Sequence, residues 1–400
     1  MFTGLVLLHI AFLWLWTRQY KPILQLLRNH NILFTKVFQS LANSGNVNIG
    51  PELRAALLEY TTNSTYEDAD IDYDALDQLE KNYNIQIDRR VINSGMIALV
   101  MRTTDGRIIK LKRRGIEARL AADCQSLKAL YTFAAWLAPR NIYVRLLKPC
   151  MNNIDDIVAQ TDFATEIRNL RQAKEDFAPL DFIQIPTVYN YPDANPSAII
   201  MEHIDGSHTL PDDTPEEVRI QYMEQFCTFI SFGFMYNAIQ HTDLHSGNIL
   251  FTPTGLGIID YGMAIQLSDD LHDVILTIAS TIKGDKQLHE IDFIDTFKNI
   301  FLPPLPEHIE NRAAIEDICI SIAQPLLDAI DMDELNLMDN IEQLSVQIGH
   351  PITFHPQCYK IILLFSMMGE KRVIMGPNCC PKTLRAAEVR GLKRALRIIF

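Results

Sequence analysis

Two short apolar runs, NILF and GIID, stand on either side of the turn sequence TPTGL. Apolar β-forming runs of this length around a glycine-containing turn predict a β-hairpin. Asp243 and Asn248 lie in the stretch HTDLHSGNILF, which leads into the first run, and Asp260 ends the second run in IIDYG. Because the strands of a hairpin run out and back, Asp260 is expected to return beside the loop that carries Asp243 and Asn248. The pattern constrains the fold strongly, because it gathers three oxygen-bearing side chains at one end of a hairpin.

The three side chains match the needs of phosphoryl transfer. That reaction uses one aspartate to position the acceptor hydroxyl and take its proton, together with an amide and a second aspartate that hold Mg²⁺ against the phosphates. The sequence therefore predicts Asp243 as the catalytic base and Asn248 and Asp260 as metal ligands. Gly262 follows, and its missing side chain lets the chain turn away at once.

Two histidines flank Asp243 and raise the question of a zinc site. The spacing His-x-Asp-x-His differs from the helical HExxH pattern, and the sequence shows no evident third ligand. We therefore expect His241 to brace the loop through hydrogen bonds and His245 to reach a phosphate or the acceptor.

A cation for the phosphates is expected from the run RIIKLKRRGIE. On a strand, Lys110 points to the face opposite Ile109 and Leu111, and Lys112 has the same parity, so the pattern leaves both lysines as candidates. Glu166 stands in the helical stretch QTDFATEIRNLRQAKEDF, between the lysine strand and the next predicted strands. That position makes Glu166 the expected partner of the lysine.

The order of patterns predicts an α+β fold with two lobes that meet at a cleft. Short β-branched runs from Val91 are followed by helical patterns over residues 115–138 and 154–177, by the strand patterns IQIPTVYNY and SAIIMEHI, and then by a mainly helical half that holds the hairpin. Gly206 in MEHIDGS marks the expected hinge. The predicted segments are a hydrophobic N-terminus (1–16), a helical extension (17–90), a smaller lobe (91–205) and a helical larger lobe (206–400).

Composition restricts the partners and the location. The formal net charge of −13 argues against a nucleic-acid partner, because such binding concentrates Lys and Arg on one face. Seven dispersed cysteines suit a reducing compartment without a disulfide framework or a structural zinc. The stretch GLVLLHIAFLWLW (Gly4–Trp16) is uncharged and precedes basic residues, which favours membrane association over a buried core helix. A signal peptide, a short anchor and an in-plane amphipathic helix remain as alternatives for it.

Taken together, these motifs resemble the UbiB/ADCK family of atypical protein-kinase-like proteins, which is linked to ubiquinone biosynthesis. HTDLHSGNILF is similar to the family's catalytic loop HADPHPGN, and IIDYGMA is similar to its DFG segment. IIKLKRRGI resembles VAVKVQRPGI, which implies that Lys110 rather than Lys112 is the phosphate lysine. TDFATEIRN resembles D-Y/F-x-x-E-A-x-N, which implies that Glu166 takes the role of the helix-C glutamate.

Three further segments carry nucleotide-binding residues over from the family. NSGMIALVMR is similar to the alanine-rich nucleotide loop, IIMEHIDG to the hinge segment whose backbone contacts adenine, and FTKVFQSLANS to the KxGQ motif. The residues that these segments imply are Gly95, Ala98, Met201, Glu202, His203, Lys36 and Gln39. The chain departs from the family where Phe38 replaces the KxGQ glycine, where Gln160 replaces the first acid of an ExD motif that ends in Asp162, and where most alanines of the loop are missing.

The resemblance implies a bilobal protein-kinase-like fold. It also implies a Mg²⁺-dependent enzyme that binds ATP or ADP and acts, as a kinase or an ATPase, on a small or lipid-like acceptor near a membrane. A second hypothesis is a nucleotide-binding scaffold with little turnover. A third is a small-molecule kinase of the choline or aminoglycoside type, which has a similar catalytic loop but does not predict KVFQ or RRGI. Phosphorylation of protein hydroxyls is less favoured, because a UbiB-like extension would cover the peptide-binding groove.

Overall fold

The computed structural model describes most of the chain from Tyr20 to Ile399. The described residues are 20–35, 38, 52–53, 56–57, 66–140, 144, 151, 154–191, 196–283, 291–306, 308–328, 334–358, 360–361, 374–376 and 380–399. The chain divides into two compact units. The first unit comprises Met1–Ala164 and Tyr189–Glu202, and the second unit comprises Thr165–Val188 and His203–Phe400.

The described elements alternate between helices and short strands. The helices are α1 (Tyr20–His30), α2 (Tyr73–Tyr83), α3 (Ile116–Leu137), α4 (Ile154–Ala159), α5 (Phe163–Asp176), α6 (Glu216–Tyr236), α7 (Asp269–Lys283), α8 (Phe293–Phe297), α9 (Arg312–Asp328), α10 (Glu334–Ile348) and α11 (Pro381–Ile399). The strands are β1 (Ile87–Ser94), β2 (Ala98–Thr103), β3 (Ile108–Lys112), β4 (Ile183–Gln184), β5 (Ala198–Met201), β6 (Gln240–His241), β7 (Ile249–Thr252), β8 (Gly255–Ile258), β9 (Ala264–Ile265), β10 (Phe301–Leu302) and β11 (Thr353–Phe354). Single 3₁₀ turns cover Asp68–Asp70, Ser246–Asn248 and Lys298–Ile300. The α+β class predicted from the sequence is confirmed.

The first unit contains an antiparallel sheet in the order β1-β2-β3-β5. Strands β2 and β3 form a hairpin across TTDG, with Ala98 opposite Lys112 and Arg102 opposite Ile108. One face of the sheet packs on helix α2, because alternate residues of each strand are apolar and point to the same side. The core of this face contains Leu76, Leu99, Met101, Ile109, Leu111 and Ile200.

Two predicted elements differ from the structure. The helical pattern over 154–177 forms two helices, α4 and α5, because the chain breaks at Thr161 and Asp162. Asp162 Oδ1 accepts a hydrogen bond from the Ala164 N–H at 3.1 Å, so its side chain satisfies a donor at the start of α5. The strand pattern IQIPTVYNY yields only Ile183–Gln184, since Pro186 has no N–H to continue a ladder.

The second unit contains the hairpin on which the functional interpretation rests. Strand β7 pairs antiparallel with β8, and β4 pairs parallel with β8 on its other side. A two-residue ladder between β6 and β9 brackets the hairpin, with His241 opposite Ala264. Both strands of the hairpin are buried throughout, so the sheet lies inside the unit rather than on its surface.

Helices α6 and α11 pack closely against each other in the second unit. Gly391 makes this approach possible, because a Cβ there would lie 2.5 Å from the Cys227 Cβ and 2.8 Å from the Glu224 backbone oxygen. Thr228 Oγ1 donates a hydrogen bond to the Gly391 carbonyl at 3.2 Å, and Arg390 pairs with Glu224. The end of the chain therefore forms an integral layer of this unit.

The expectation of a membrane location is contradicted. A helix needs roughly 20 mainly apolar residues to cross the hydrocarbon core, and no helix in the described part of the chain combines that length with that apolarity. The stretch Gly4–Trp16, on which the expectation rested, lies outside the described residues.

Candidate active site

The loop between β6 and β7 places Asp243 and Asn248 side by side. Asn248 Nδ2 donates a hydrogen bond to the Asp243 carbonyl at 2.9 Å, and the His245 N–H donates to the same carbonyl at 3.0 Å. Both Asp243 and Asn248 are buried. Because the Asn248 amide nitrogen is used within the loop, its Oδ1 is the atom left for a ligand, and that oxygen has no partner among the described residues.

The hairpin returns Asp260 to this loop, as predicted. Ile249 pairs with Ile258, and the Ile259 N–H donates to the Asn248 carbonyl at 3.2 Å, one residue before Asp260. The Gly262 N–H then donates to Asp260 Oδ1 at 2.8 Å, which holds the carboxylate against the turn that follows. The structure therefore brings together the three oxygen-bearing residues that the sequence selected.

Helix α5 adds Glu166 to the same turn. A Cβ placed on Gly262 would lie 3.2 Å from Asp260 Oδ1 and 3.4 Å from Glu166 Oε2, so the two carboxylates flank this glycine. Glu166 is only 1% exposed. A buried carboxylate is costly unless cations or hydrogen-bond donors compensate it.

Asn169 holds helix α5 to the D-x-G turn and was not selected from the sequence. Its Nδ2 donates a hydrogen bond to the Tyr261 carbonyl at 3.0 Å. The available signal was its place three residues after Glu166 in TDFATEIRN, on the same face of a helix. Asn169 therefore fixes the position of the Glu166 helix relative to Asp260.

His241 braces the catalytic loop from inside the unit. Its Nδ1 accepts a hydrogen bond from the Asp243 N–H at 3.1 Å, and its ring contacts the Tyr261 ring edge-on at 5.0 Å between centroids. Burial lowers the pKa of His241 to about 4, although the carboxylates of Asp260 and Asp243 oppose this shift. The imidazole is therefore neutral at pH 7 with its proton on Nε2, and within the described chain neither Nε2 nor the buried Tyr261 hydroxyl has a hydrogen-bond partner.

His245 lies beside the proposed base. Its Nδ1 accepts a hydrogen bond from the Gly247 N–H at 3.1 Å, so a neutral ring carries its proton on Nε2. That Nε2 lies 3.8 Å from Asp243 Oδ2. A hydrogen-bond donor consequently points toward the carboxylate from the loop itself.

In the first unit, the two candidate lysines lie over the same aromatic ring. Lys110 lies between Val100 and Ile199 in the middle of the sheet, with its Nζ 5.5 Å from the centroid of the Phe163 ring, and Lys112 Nζ lies 5.2 Å from that centroid. Lys112 is buried, and its Nζ also donates to Glu117 Oε1 at 2.9 Å, so its charge is satisfied within the unit.

The remaining nucleotide-binding candidates occupy three places. Gly95 and Ala98 close the tight turn between β1 and β2, where the Gly95 N–H donates to the Ala98 carbonyl at 2.9 Å. Met201 is the buried last residue of β5, and the exposed residues Glu202 and His203 follow it outside any strand. Lys36 and Gln39 lie outside the described residues.

Phe38 shows why the family glycine is absent from the KxGQ-like segment. Its side chain is buried in a small apolar cluster with Leu24, Ala56 and Leu57, and its ring lies 5.9 Å from that of Phe34. A glycine could not fill this position, so the extension uses Phe38 as an anchor.

The oxygen-rich donor set suits Mg²⁺. Magnesium is usually held by one or two protein oxygens together with waters and substrate phosphates, and Asn248 Oδ1 and the Asp260 carboxylate provide such a pair. No group of three or more His, Cys, Asp or Glu side chains placed to hold a metal occurs within the described ranges.

Comparison with solved structures identifies distant neighbours. One is the complex of Rv3197 with erythromycin from Mycobacterium tuberculosis, which shares 16% identity over 76% of this chain and 82% of that chain, with a TM-score of 0.41. Another is the streptomycin–ATP–APH(2″)-IIa ternary complex, at 14% identity over 52% of this chain and 77% of that chain, with a TM-score of 0.27. A third is ADP-bound aminoglycoside phosphotransferase APH(2″)-Ib, at 14% identity over 68% of this chain and 97% of that chain, with a TM-score of 0.28.

The family comparison covers the candidate residues from Gly95 to Asp260. The ABC1 atypical kinase-like domain matches residues 77–290, a segment that includes Lys110, Glu166, Asp243, Asn248 and Asp260. This match confirms the kinase-like fold expected from the sequence. The chain belongs to the ABC1 atypical kinase-like family, the family of the UbiB and ADCK proteins.

Proposed function

We propose that this protein transfers the γ-phosphoryl group of ATP to a hydroxyl of a small or lipid-like acceptor in a Mg²⁺-dependent reaction. The observation that carries the proposal is the arrangement of Asp243, Asn248 and Asp260 at the end of the β7–β8 hairpin. Phosphoryl transfer requires little covalent chemistry from the protein, so positioning and charge stabilisation account for most of the catalysis.

The residues of the second unit act at the reacting end of ATP. Asp243 accepts the proton of the acceptor hydroxyl while that oxygen bonds to the γ-phosphorus and the bond from the phosphorus to the β,γ-bridging oxygen breaks, leaving ADP. Asn248 Oδ1 and the Asp260 carboxylate would hold Mg²⁺, which would supply positive charge to offset the charge of the phosphates. The His245 Nε2–H, 3.8 Å from Asp243 Oδ2, helps to orient that carboxylate toward the acceptor.

We assign Lys110 to the phosphates and Glu166 to orienting that lysine, the roles that the family resemblance carries over. One observation supports Lys110 over Lys112. The Lys112 ammonium donates to Glu117 Oε1 at 2.9 Å, so its charge is used within the first unit. The Phe163 ring does not distinguish the two lysines, because both ammonium groups lie over it.

The remaining candidates are assigned to the nucleotide. The turn bounded by Gly95 and Ala98 would cover the phosphates, and the backbone of Met201, Glu202 and His203 would contact adenine. Lys36 and Gln39 belong to the KxGQ-like extension and are proposed to act on the same ligand.

A nucleotide-binding panel tests this proposal. ATP and ADP are titrated with and without Mg²⁺ into the wild type, into Asp260→Asn and into the control Asp273→Asn, which removes a carboxylate from an exposed position of α7. We expect Mg²⁺ to strengthen ATP binding to the wild type and to the control, and to have no such effect on Asp260→Asn. An equal effect of Mg²⁺ on all three proteins would refute the metal assignment.

A nucleotide-sensing scaffold with little turnover is the second candidate function. Gln160 supports it, because this residue replaces a family acid and its Nε2 is buried without a hydrogen-bond partner in the described part of the chain.

Single-turnover measurement with labelled ATP separates the two candidates. The assay includes aminoglycosides, choline and long-chain alcohols as acceptors, so it also tests the small-molecule kinase alternative. A scaffold would release no phosphate and label none of these acceptors.

A further inference from the structure

Arg113 is a buried arginine directly after strand β3. Its side chain is 3% exposed, and arginines are rarely buried to this extent unless their donors are satisfied. Burial lowers the pKa of Arg113, and the carboxylate of Asp70 opposes this effect. Because an arginine pKa starts far above neutrality, the guanidinium keeps its charge and acts as a fixed set of donors.

One side of Arg113 holds the turn between β1 and β2. Its Nε donates to the Gly95 carbonyl at 3.0 Å, and its Nη2 donates to Ser94 Oγ at 2.7 Å. Its backbone N–H donates to the Ile97 carbonyl at 2.9 Å. A single residue therefore contacts three of the five positions from Ser94 to Ala98.

The other side of Arg113 holds the segment that precedes α2. Its Nη1 donates to Asp70 Oδ2 at 2.7 Å, and the N–H of the next residue, Arg114, donates to the Asp70 carbonyl at 2.9 Å. Asp70 ends the 3₁₀ turn Asp68–Asp70. The guanidinium thus links two segments that are far apart in sequence, the chain before α2 and the turn after β1.

The turn needs such a link because the strand before it is irregular. The register of β1 against β2 shifts between Asp88 and Asn93, so the ladder does not run evenly into the turn. Gly95 is exposed, and a glycine leaves the backbone more conformations than any other residue. Side-chain donors from Arg113 supply the order that the ladder lacks.

We propose that Arg113 is a positioning residue for the nucleotide, which holds the turn Ser94–Ala98 in its receiving shape before the ligand binds. This inference rests on the proposed function, in which that turn covers the phosphates. A loop that is already ordered loses little conformational entropy when the ligand binds, so ordering the turn beforehand increases the affinity for the nucleotide. Asp70 is the second anchor, and changes in the segment before α2 reach the turn through it.

The test uses Arg113→Lys, which keeps the charge but loses the forked donor geometry. Ser94→Ala removes one acceptor only and serves if Arg113→Lys fails to fold. Asp70→Asn weakens the second anchor without altering the turn itself. The matched control is Arg89→Lys, because Arg89 lies on β1 but pairs with Asp77 and Glu80 of α2.

Two readouts separate positioning from a structural role. Hydrogen exchange of the amides over residues 94–98, measured without nucleotide, reports the order of the turn, with the α6 amides as an internal reference. ATP and ADP dissociation constants and dissociation rates report the consequence. In Arg113→Lys we expect about tenfold faster exchange in the turn and about tenfold weaker ATP binding through faster dissociation. Ser94→Ala and Asp70→Asn should change both readouts by roughly threefold, and Arg89→Lys should change neither.

The outcomes distinguish this inference from the proposed function. A wild type that binds neither ATP nor ADP refutes the proposed function and the nucleotide role of Arg113 together. A wild type that binds both, with unchanged affinity in folded Arg113→Lys and Ser94→Ala, refutes the role of Arg113 alone. Equal effects in Arg113→Lys and Arg89→Lys would show that weakening any arginine ion pair of this sheet has the same result, which also overturns the inference.

Discussion

Gly262→Ala tests whether the geometry around Asp260 is required for activity. Gly262 does not have a positive φ, so alanine meets no intrinsic backbone strain there. The added Cβ would lie 3.2 Å from Asp260 Oδ1 and 3.4 Å from Glu166 Oε2, and the first distance is a few tenths of an ångström too short for an ordinary contact. The substitution therefore pushes on two carboxylates without otherwise disturbing the chain.

Neither carboxylate can move away freely. Asp260 Oδ1 accepts the Gly262 N–H at 2.8 Å, and Glu166 is only 1% exposed, so packed atoms surround its carboxylate. The displacement consequently falls on atoms that we assign to the metal and to the lysine. A misplacement of about 1 Å can cost roughly a hundredfold in rate, so a shift of a few tenths of an ångström should cost about tenfold.

Stability should change little in the same variant. Replacing glycine by alanine at a compatible backbone position stabilises by about 0.4–1 kcal/mol through the unfolded state, which offsets much of the cost of the tight contact. Gly349→Ala is the opposite control, because its φ of +83° strains an alanine, while no atom of the described residues lies within 4 Å of the new Cβ. We expect Gly349→Ala to lower the free energy of unfolding by about 1–2 kcal/mol and to leave nucleotide binding intact.

The assay compares thermal unfolding with Mg·ATP affinity and turnover in both variants. Gly262→Ala should keep its melting temperature and lose function, whereas Gly349→Ala should lose stability and keep function. If Gly262→Ala retained full Mg²⁺-dependent affinity and turnover, the positions of Asp260 and Glu166 would not matter to the reaction, and the assignment of these carboxylates would be wrong.

Three further predictions concern polar groups near the site. Tyr261→Phe removes a buried hydroxyl that has no partner in the described chain, so the free energy of unfolding should rise by about 1 kcal/mol. A lower free energy of unfolding, measured by chemical denaturation, would show that the hydroxyl forms a hydrogen bond. Asn169→Ala leaves the Tyr261 carbonyl without its donor. The substitution should lower the free energy of unfolding by about 1 kcal/mol and weaken ADP binding. Unchanged ADP affinity in calorimetry would contradict the proposal that Asn169 positions the turn at Asp260. The pKa of His241 in the folded protein is about 4, below its ordinary value of 6.5. Its contribution to the free energy of unfolding is therefore complete above pH 6.5 and is lost as the pH falls toward 4, by up to about 3 kcal/mol. His241→Asn should make the free energy of unfolding less dependent on pH over that range, and an equally steep dependence would refute the pKa shift.

The site motifs could be predicted because they depend on neighbouring residues. The hairpin at TPTGL follows from a glycine turn between apolar runs, and the parity of Lys110 follows from the alternation of a strand. Both are confirmed by the pairing of β7 with β8 and of β3 with its neighbours. Parity alone, however, could not separate Lys110 from Lys112, which share a face of the strand.

Tertiary contacts decided the features that the sequence left open. Lys112 is set apart by its hydrogen bond to Glu117, and Asn169 and Arg113 acquire roles only through Tyr261 and through the Ser94–Ala98 turn. Turns, caps and strand parity are determined within a few residues, so the sequence by itself predicted the hairpin and the α+β class, and it selected the oxygen-bearing residues Asp243, Asn248 and Asp260. Which distant groups meet depends on how whole elements pack, since a buried charge must find its partner wherever the fold provides one. For that reason only the tertiary structure could show that Glu166 and Asp260 share Gly262.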